Sequence, residues 1–578
     1  MFARHALALA ALVVVTWATS LHSGYVHFDT PWLVADNPIL STGDLSWLPA
    51  IVADTSLGTR MVLGAEYLPV RDVTVLLDFA VFGDWWMGHH LVNLGWYLAG
   101  CVLWLWLCRR LLPDPRLAFL AAALYAVHPT HVESVAWLAS RKDVVSLALY
   151  LGAIVTWWRG GRGGWAASVL LFGLAYWAKN TAITLPAVLV LLSLLARRER
   201  PTTLRWLAQW IPHGLVALLG LAVTLRLGQS VSMMAPERAD TAWGLVRIEA
   251  QVIARYLEML VAPRGLSALY VEPAVDGPAW IGLSLIAALL AAAAACWRAR
   301  PLVSLGILWF FVTLLPVSQI IPIQNLMADR YLLLPSAGAI LAAVALVPAA
   351  ALRRPAGLAA AVAVVAVLGG VTAQRNLVWT SDVHLWEDTV EKQPDLDRGW
   401  LSYAAALERE GEGTRAAAVL AEGLARLPDS PLLVQSHGLR LLEQGDPRAE
   451  AVLREAIARD SGARRAANAL VVLLHREGRL EESVAVGQQL VTIHPLYVEG
   501  WNSLGAACID ARELDCADRA LQRAQALAPM DARVWVNLGN LAYLTEDRAG
   551  AQAAWEEALR LEPGNDYARR GLAHLRGD

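Results

Sequence analysis

Apolar runs of roughly twenty residues, the length a helix needs to cross about 30 Å of hydrocarbon, recur along the chain as far as residue 373 and then stop. Inside hydrocarbon, only helices and closed barrels satisfy their own backbone polar groups. The runs therefore predict a helical membrane part before any single residue is considered. They lie near 5–23, 88–110, 116–135, 143–158, 164–178, 181–196, 207–228, 279–297, 301–317, 331–351 and 355–373, eleven in all. Beyond about Thr380, Arg, Glu and Asp become frequent. The expected division is thus a membrane domain at 1–378 and a water-soluble one at 379–578, in a chain that is all-α. The whole-chain composition, 57% hydrophobic and 17% charged, departs from the soluble average in the same sense. A net charge of −3 gives no reason to expect a nucleic-acid partner.

Basic clusters mark alternate connections between the runs: Arg109, Arg110 and Arg116; Arg159 and Arg162; Arg197, Arg198 and Arg200; Arg298 and Arg300; Arg353 and Arg354. Short positive loops stay cytoplasmic, so with Arg4 inside, all of these fall on one side. The segment 244–262 is apolar but carries Arg247, Glu249, Arg255 and Glu258. Counting it as a span would put Arg298 and Arg300 outside, so it reads as an amphipathic helix in the outer interface. The first run has the charged start of a signal peptide but is expected to be a retained helix. The soluble domain then lies outside the cytoplasm.

The opposite connections carry the chemistry. His128, His131, Glu133, Arg141, Lys142, Asp143, Lys179, Asp329 and Arg330 all reach that face, with Asp29 and Arg71 from a long first loop at roughly 24–87. Taken singly, an Arg or Lys at a helix end reads as a snorkelling anchor, a His as a hydrogen-bonded loop residue, and Asp36-Asn37-Pro38 as a turn. Taken together, several cations at a membrane face suit a lipid-borne phosphate. An exposed carboxylate beside them suits a general base acting on an acceptor hydroxyl. Phosphate-linked lipid plus hydroxyl acceptor describes lipid-dependent glycosyl transfer.

The motifs FDTPWLVADNP at 28–38, YLPVRDVT at 67–74, GHHLVNLGWYLAG at 88–100, HPTHVESVAW at 128–137, SRKD at 140–143, AKNTAITLP at 178–186 and MADRYLLLPSAG at 327–338 resemble those of the transmembrane O-mannosyltransferases with tetratricopeptide repeats (TMTC), a GT-C glycosyltransferase group, and of their bacterial relatives. The resemblance implies transfer of a sugar, commonly mannose, from a polyprenyl-phosphate carrier to a protein hydroxyl. It also implies a catalytic acid in the first outer loop, which Asp29 matches. Thr30 stands where the family has a second acid, and Asn180 where relatives often have Glu. Asp29 is therefore the expected base, with Arg330, Lys179 and Arg141 set against the departing phosphate. Arg71, His128, His131, Glu133, Lys142 and Asp329 complete the expected substrate-binding set. Enough cations are present for leaving-group stabilisation without an obligatory metal or other cofactor.

From Trp379 the pattern changes to amphipathic helices. Pro495, Pro529 and Pro563 recur every ~34 residues, as do Trp501 and Trp535, and Gly505 and Gly539, the period of the tetratricopeptide repeat (TPR). About five repeats and a polar capping helix are expected, their small residues permitting close helix approach. The concave face of such a solenoid takes an extended peptide, here an acceptor protein. Cys101, Cys108 and Cys296 sit in apolar runs and read as structural thiols. Cys508 and Cys516 lie on consecutive helices of one repeat, and register alone leaves their pairing open. No Cys/His spacing suggests zinc.

The rival reading is a non-catalytic, membrane-anchored repeat scaffold for envelope protein assembly, but an anchor has no use for clustered His, Arg, Lys and Asp. A transporter would carry ionisable groups nearer mid-membrane and repeated halves. The compact loops and Ala/Arg/Leu-rich composition suggest a bacterium, hence a multi-pass inner-membrane protein with its site and repeats on the periplasmic side.

Overall fold

The computed structural model of the chain describes residues 2–24, 26–64, 66–197, 206, 208–231, 241–273, 277–320 and 323–577. Regular structure among them is helical throughout. Arg198 and Arg200 of the expected basic clusters, and the first residue of the expected run 207–228, lie outside the described residues.

Two compact units form, Met1–Gln393 and Pro394–Asp578. The junction lies beyond the expected 378/379 boundary because the helix Asp382–Lys392 is tied back into the first unit. There Asp388 Oδ2 pairs with Arg375 Nη1 at 2.5 Å, and Lys392 Nζ donates to the Leu266 carbonyl at 2.9 Å.

In the first unit, four helices among the described residues are long and apolar enough to cross a membrane: Phe2–His22, Trp86–Leu111, Ala279–Ala299 and Pro355–Val378. Shorter apolar helices cover Pro115–Ala126, Asn180–Ala196, Ile211–Leu227 and Pro301–Val317. Two expected runs are cut short for a physical reason. The run 116–135 breaks at His128-Pro129, because proline has no N–H to continue the ladder. It goes on as three short turns of helix, Pro129–His131, Val132–Ala136 and Leu138–Ser140. The run 331–351 ends its helix at Ala345, ahead of Pro348.

The amphipathic segment forms the helix Ala242–Val261. Part of its apolar face is buried within the first unit. Ile248, Val252, Tyr256 and Met259 pack with Phe310, Leu314, Leu326, Met327 and Leu332 in one buried cluster, so this helix roofs the 326–332 stretch. Beneath it, the helices Pro301–Leu314 and Leu333–Ala345 approach at Gly306 and Gly338. A Cβ on Gly306 would lie 2.4 Å from the Gly338 carbonyl oxygen, and one on Gly338 2.5 Å from that of Gly306. Small residues of this kind let membrane helices pack backbone to backbone.

The second unit is five antiparallel helix pairs, from Asp397–Arg409 with Gly413–Arg426 to Ala532–Leu544 with Arg548–Leu561, closed by Asp566–Arg576. A recurring bond explains the Pro–Trp period. The indole N–H of Trp400, Trp501 and Trp535 donates to the carbonyl of Pro394, Pro495 and Pro529, at 2.8, 3.0 and 2.7 Å. In the capping helix Arg569 takes the tryptophan's place and donates to Pro563 at 3.2 Å. Cys508 and Cys516 are joined by a disulfide with Cα atoms 5.9 Å apart, while Cys101, Cys108 and Cys296 are free.

Gly539 sits where a Cβ would lie 2.4 Å from Trp555 Nε1, and that indole is buried and bonded to the Val536 carbonyl. Gly539→Ala is expected to cost about 1–3 kcal/mol by overpacking. Gly564→Ala, with nothing within 4 Å of the new methyl, is expected to leave stability unchanged. Thermal unfolding of the two full-length variants checks the contrast.

Candidate active site

The short helices after Pro129 and the turn Asp329–Leu332 meet at one ion pair. Arg330 Nη1 pairs with Glu133 Oε1, and the Arg330 backbone N–H donates to Glu133 Oε2 at 2.8 Å. Both side chains are buried. The guanidinium also faces the rings of Trp137 and Tyr331, with its Cζ 5.4 and 5.2 Å from their centroids. A buried cation needs such company to offset its lost hydration. Lys179 also lies by Tyr331, its Nζ 5.8 Å from that ring, and is paired with Asp143 Oδ1. Asp143, Lys179, Thr181, Arg330, Tyr331 and Pro335 line one cavity.

The expected catalytic acid reaches this group through Trp137. Phe28 stacks on Trp137 at 5.0 Å, and Trp137 Nε1 donates to Thr30 Oγ1 at 3.0 Å. From the other side, the Asp382 carboxylate takes both the backbone N–H and the ring of His27, at 2.5 and 2.6 Å. Trp386 meets Phe28 edge-on at 5.4 Å. Residues 27, 28 and 30 are thus each pinned. Asp29 lies between them, half-buried, and its carboxylate makes no hydrogen bond or ion pair among the described residues. The Asx turn at Asn37 sets the far end of this loop. Its side-chain oxygen accepts from the N–H groups of Ile39 and Leu40, and its amide donates to the Val62 carbonyl at 2.7 Å.

Lys142 and Arg71 belong to an adjoining group built around Glu66. Lys142 Nζ is 2.6 Å from Glu66 Oε2, and Arg71 lies 3.7 Å from the same oxygen while chelating Asp72. Burial alone would raise the Glu66 carboxyl; the charges of Lys142 and Arg71 outweigh it and hold it at about 2. Glu66 carried no signal in the sequence, since its distance from Lys142 along the chain hides the pairing.

Four expected residues face elsewhere. His128 Nε2 donates to the Leu260 carbonyl at 3.1 Å, and Nδ1 bonds Thr130 Oγ1 at 2.8 Å. His131 is held by the Tyr97 hydroxyl and Ser336 Oγ, each at 2.9 Å. Arg141 turns to Asp78 at 2.5 Å, to Asn93 and to the His89 carbonyl at 2.9 Å. Asp329 accepts from the Tyr270 hydroxyl. These contacts fasten segments to one another. Asp143 Oδ2, Asn180 Oδ1, Asp72 Oδ2, Arg71 Nη1 and Arg141 Nη1 are buried without a hydrogen-bond partner among the described residues.

Comparison with known proteins adds an independent line. A tetratricopeptide-repeat family matches residues 532–565. The protein O-mannosyl-transferase Tmtc1 of Drosophila melanogaster is 31% identical over 182 residues, which is 30% of this chain and 21% of the fly protein. Protein O-mannosyl-transferase TMTC1 of Mus musculus is 30% identical over 156 residues, 26% of this chain and 16% of the mouse protein. Over 26–30% of its length, this chain is thus similar to TMTC O-mannosyl-transferases. The matches span about a fifth or less of those relatives' length. Among solved structures, the type IV pilus biogenesis factor PilW resembles 35% of the chain, covering 92% of PilW, at 16% identity and a TM-score of 0.30.

Removing one partner of a buried ion pair leaves the other charge uncompensated. Glu133→Ala is therefore expected to destabilise the protein by about 3–5 kcal/mol, read as a fall in the melting midpoint of purified full-length protein. Asp329 supplies a pH signature. Burial pushes its carboxyl up to about 7 against the pull of Arg375. The folded form then holds a proton that an unfolded carboxyl has released above pH ~4, so this group's contribution to stability falls as pH rises from ~4 to 7. Asp329→Asn is expected to remove that slope from the melting midpoint plotted against pH.

Proposed function

We propose that the chain is an integral-membrane GT-C-type glycosyltransferase. It moves a hexose, mannose being the sugar of its named relatives, from a polyprenyl-phosphate carrier to a protein hydroxyl. The observation that carries this reading is the Asp29 carboxylate, free of protein partners on a loop pinned on both sides, linked through one shared tryptophan to the Arg330 and Lys179 cavity. Asp29 takes the proton of the acceptor hydroxyl as the acceptor oxygen bonds to the anomeric carbon. The bond from that carbon to the lipid phosphate oxygen breaks, and its electron pair leaves with the phosphate. Attack opposite the leaving group inverts the centre. Arg330 and Lys179 stabilise the departing charge, a role that calls for no obligatory metal. Arg141, which does not line that cavity, supports the site rather than the phosphate.

On this reading the chain crosses the membrane eleven times with Arg109, Arg110, Arg298 and Arg300 on the cytoplasmic side, and the site faces the periplasm. The Cys508–Cys516 disulfide supports the same side for the repeats, since such bonds persist in oxidising compartments. The repeats take the acceptor protein as an extended segment along their concave face.

Asp29→Asn keeps the shape of the side chain and removes the base. In membranes supplied with radiolabelled polyprenyl-phosphate mannose, wild-type protein is expected to label acceptor protein, and the variant to do so at least 10²-fold more slowly at equal abundance. Labelling at the wild-type rate by the variant would refute the assignment. Absence of labelling by either would favour a non-catalytic scaffold.

A further inference from the structure

A second cavity, of about 440 Å³, opens among the far ends of the same helices. The helix Leu333–Ala345 starts beside Arg330 and ends at this cavity, and the helix Pro301–Leu314 starts here and runs to Thr313 of the first cavity. At 1.5 Å per residue the two cavities lie about 20 Å apart along the helix axes. Leu112, Leu195, Leu302 and Val347 make its walls apolar, and Arg110 and Arg300 stand with them in the lining.

The charges at this end are unequally used. Arg109 meets His5 at 3.4 Å, Arg116 donates to the Leu352 carbonyl at 3.1 Å, and Arg353 lies 3.6 Å from Asp114. Asp114 is the one acid in the segments 109–116, 192–197, 296–303 and 345–357 that build this end. Arg110 and Arg300 are both exposed, and among the described residues neither side chain has a hydrogen bond or ion pair. Arg110 only lies over the Trp106 ring, at 4.9 Å.

We propose that this cavity binds an anionic phospholipid, its phosphate held by Arg110 and Arg300 and an acyl chain laid along the apolar wall. Two guanidinium forks match a phosphodiester, and basic pockets between membrane helices select anionic head groups in this way. A soluble phosphate would leave the apolar wall uncovered. A choline lipid would bring a second cation against the arginines.

The test uses purified full-length protein in detergent, equilibrated with equal amounts of phosphatidylglycerol and phosphatidylcholine and read by native mass spectrometry. Wild-type protein is expected to retain phosphatidylglycerol in preference, by a factor on the order of ten. The double variant Arg110→Ala/Arg300→Ala is expected to lose that preference with its melting midpoint unchanged. Val347→Trp, which fills the cavity from the partly exposed side, is expected to lower retention of phosphatidylglycerol, and it decides the matter if the double variant fails to fold. Equal retention of the two lipids by wild-type protein, full preference in the double variant, or unaltered retention in Val347→Trp would overturn the proposal.

Discussion

The buried pair of Glu133 and Arg330 is the contact on which the rest of the first unit depends. It joins two segments 197 residues apart in sequence, and it does so where charge is expensive. Desolvation of both ions is repaid only because the carboxylate also accepts a backbone N–H and the guanidinium lies against two aromatic rings. Those rings then extend the arrangement outward. Tyr331 reaches Lys179, and Trp137 reaches the loop that carries Asp29.

Charge is distributed with a clear asymmetry around this centre. The cations are already matched, Lys179 to Asp143, Lys142 to Glu66 and Arg71 to Asp72, whereas the Asp29 carboxylate is not. A phosphate entering the cavity would compete with carboxylates for paired cations, so it would be held by geometry as much as by net charge. The helix Asp382–Lys392 contributes to the setting of Asp29, because Asp382 and Trp386 hold His27 and Phe28 from one side while Trp137 holds Phe28 and Thr30 from the other. The last helix before the repeats is therefore part of the loop's support.

Much of this was legible in the residues. The apolar runs and the Pro–Trp–Gly period required a helical membrane part and a repeat solenoid, since each pattern buries its apolar surface in essentially one way. The turn at Asn37 could be read from residue type, and the motifs single out Asp29, Arg330 and Lys179 as candidates. Side-chain partners could not. His128, His131 and Arg141 are as polar as Lys179, yet their hydrogen bonds to Leu260, Ser336 and Asp78 spend them on holding segments together. Glu66, which pairs with Lys142, has no motif or spacing to mark it.

What the sequence by itself determined is the class of each part, because backbone hydrogen bonding in hydrocarbon and the packing of small against large residues at a fixed period admit few alternatives. Helix ends and ion pairs were decided only by the tertiary structure. Pro129 broke a run that hydropathy alone made continuous, and the amphipathic helix Ala242–Val261 found partners in Phe310, Leu314 and Leu332. The physical reason is common to both. Periodicity reports which surface a segment must bury, whereas the neighbour it buries that surface against, and the charge it meets there, are set by segments far away in the chain.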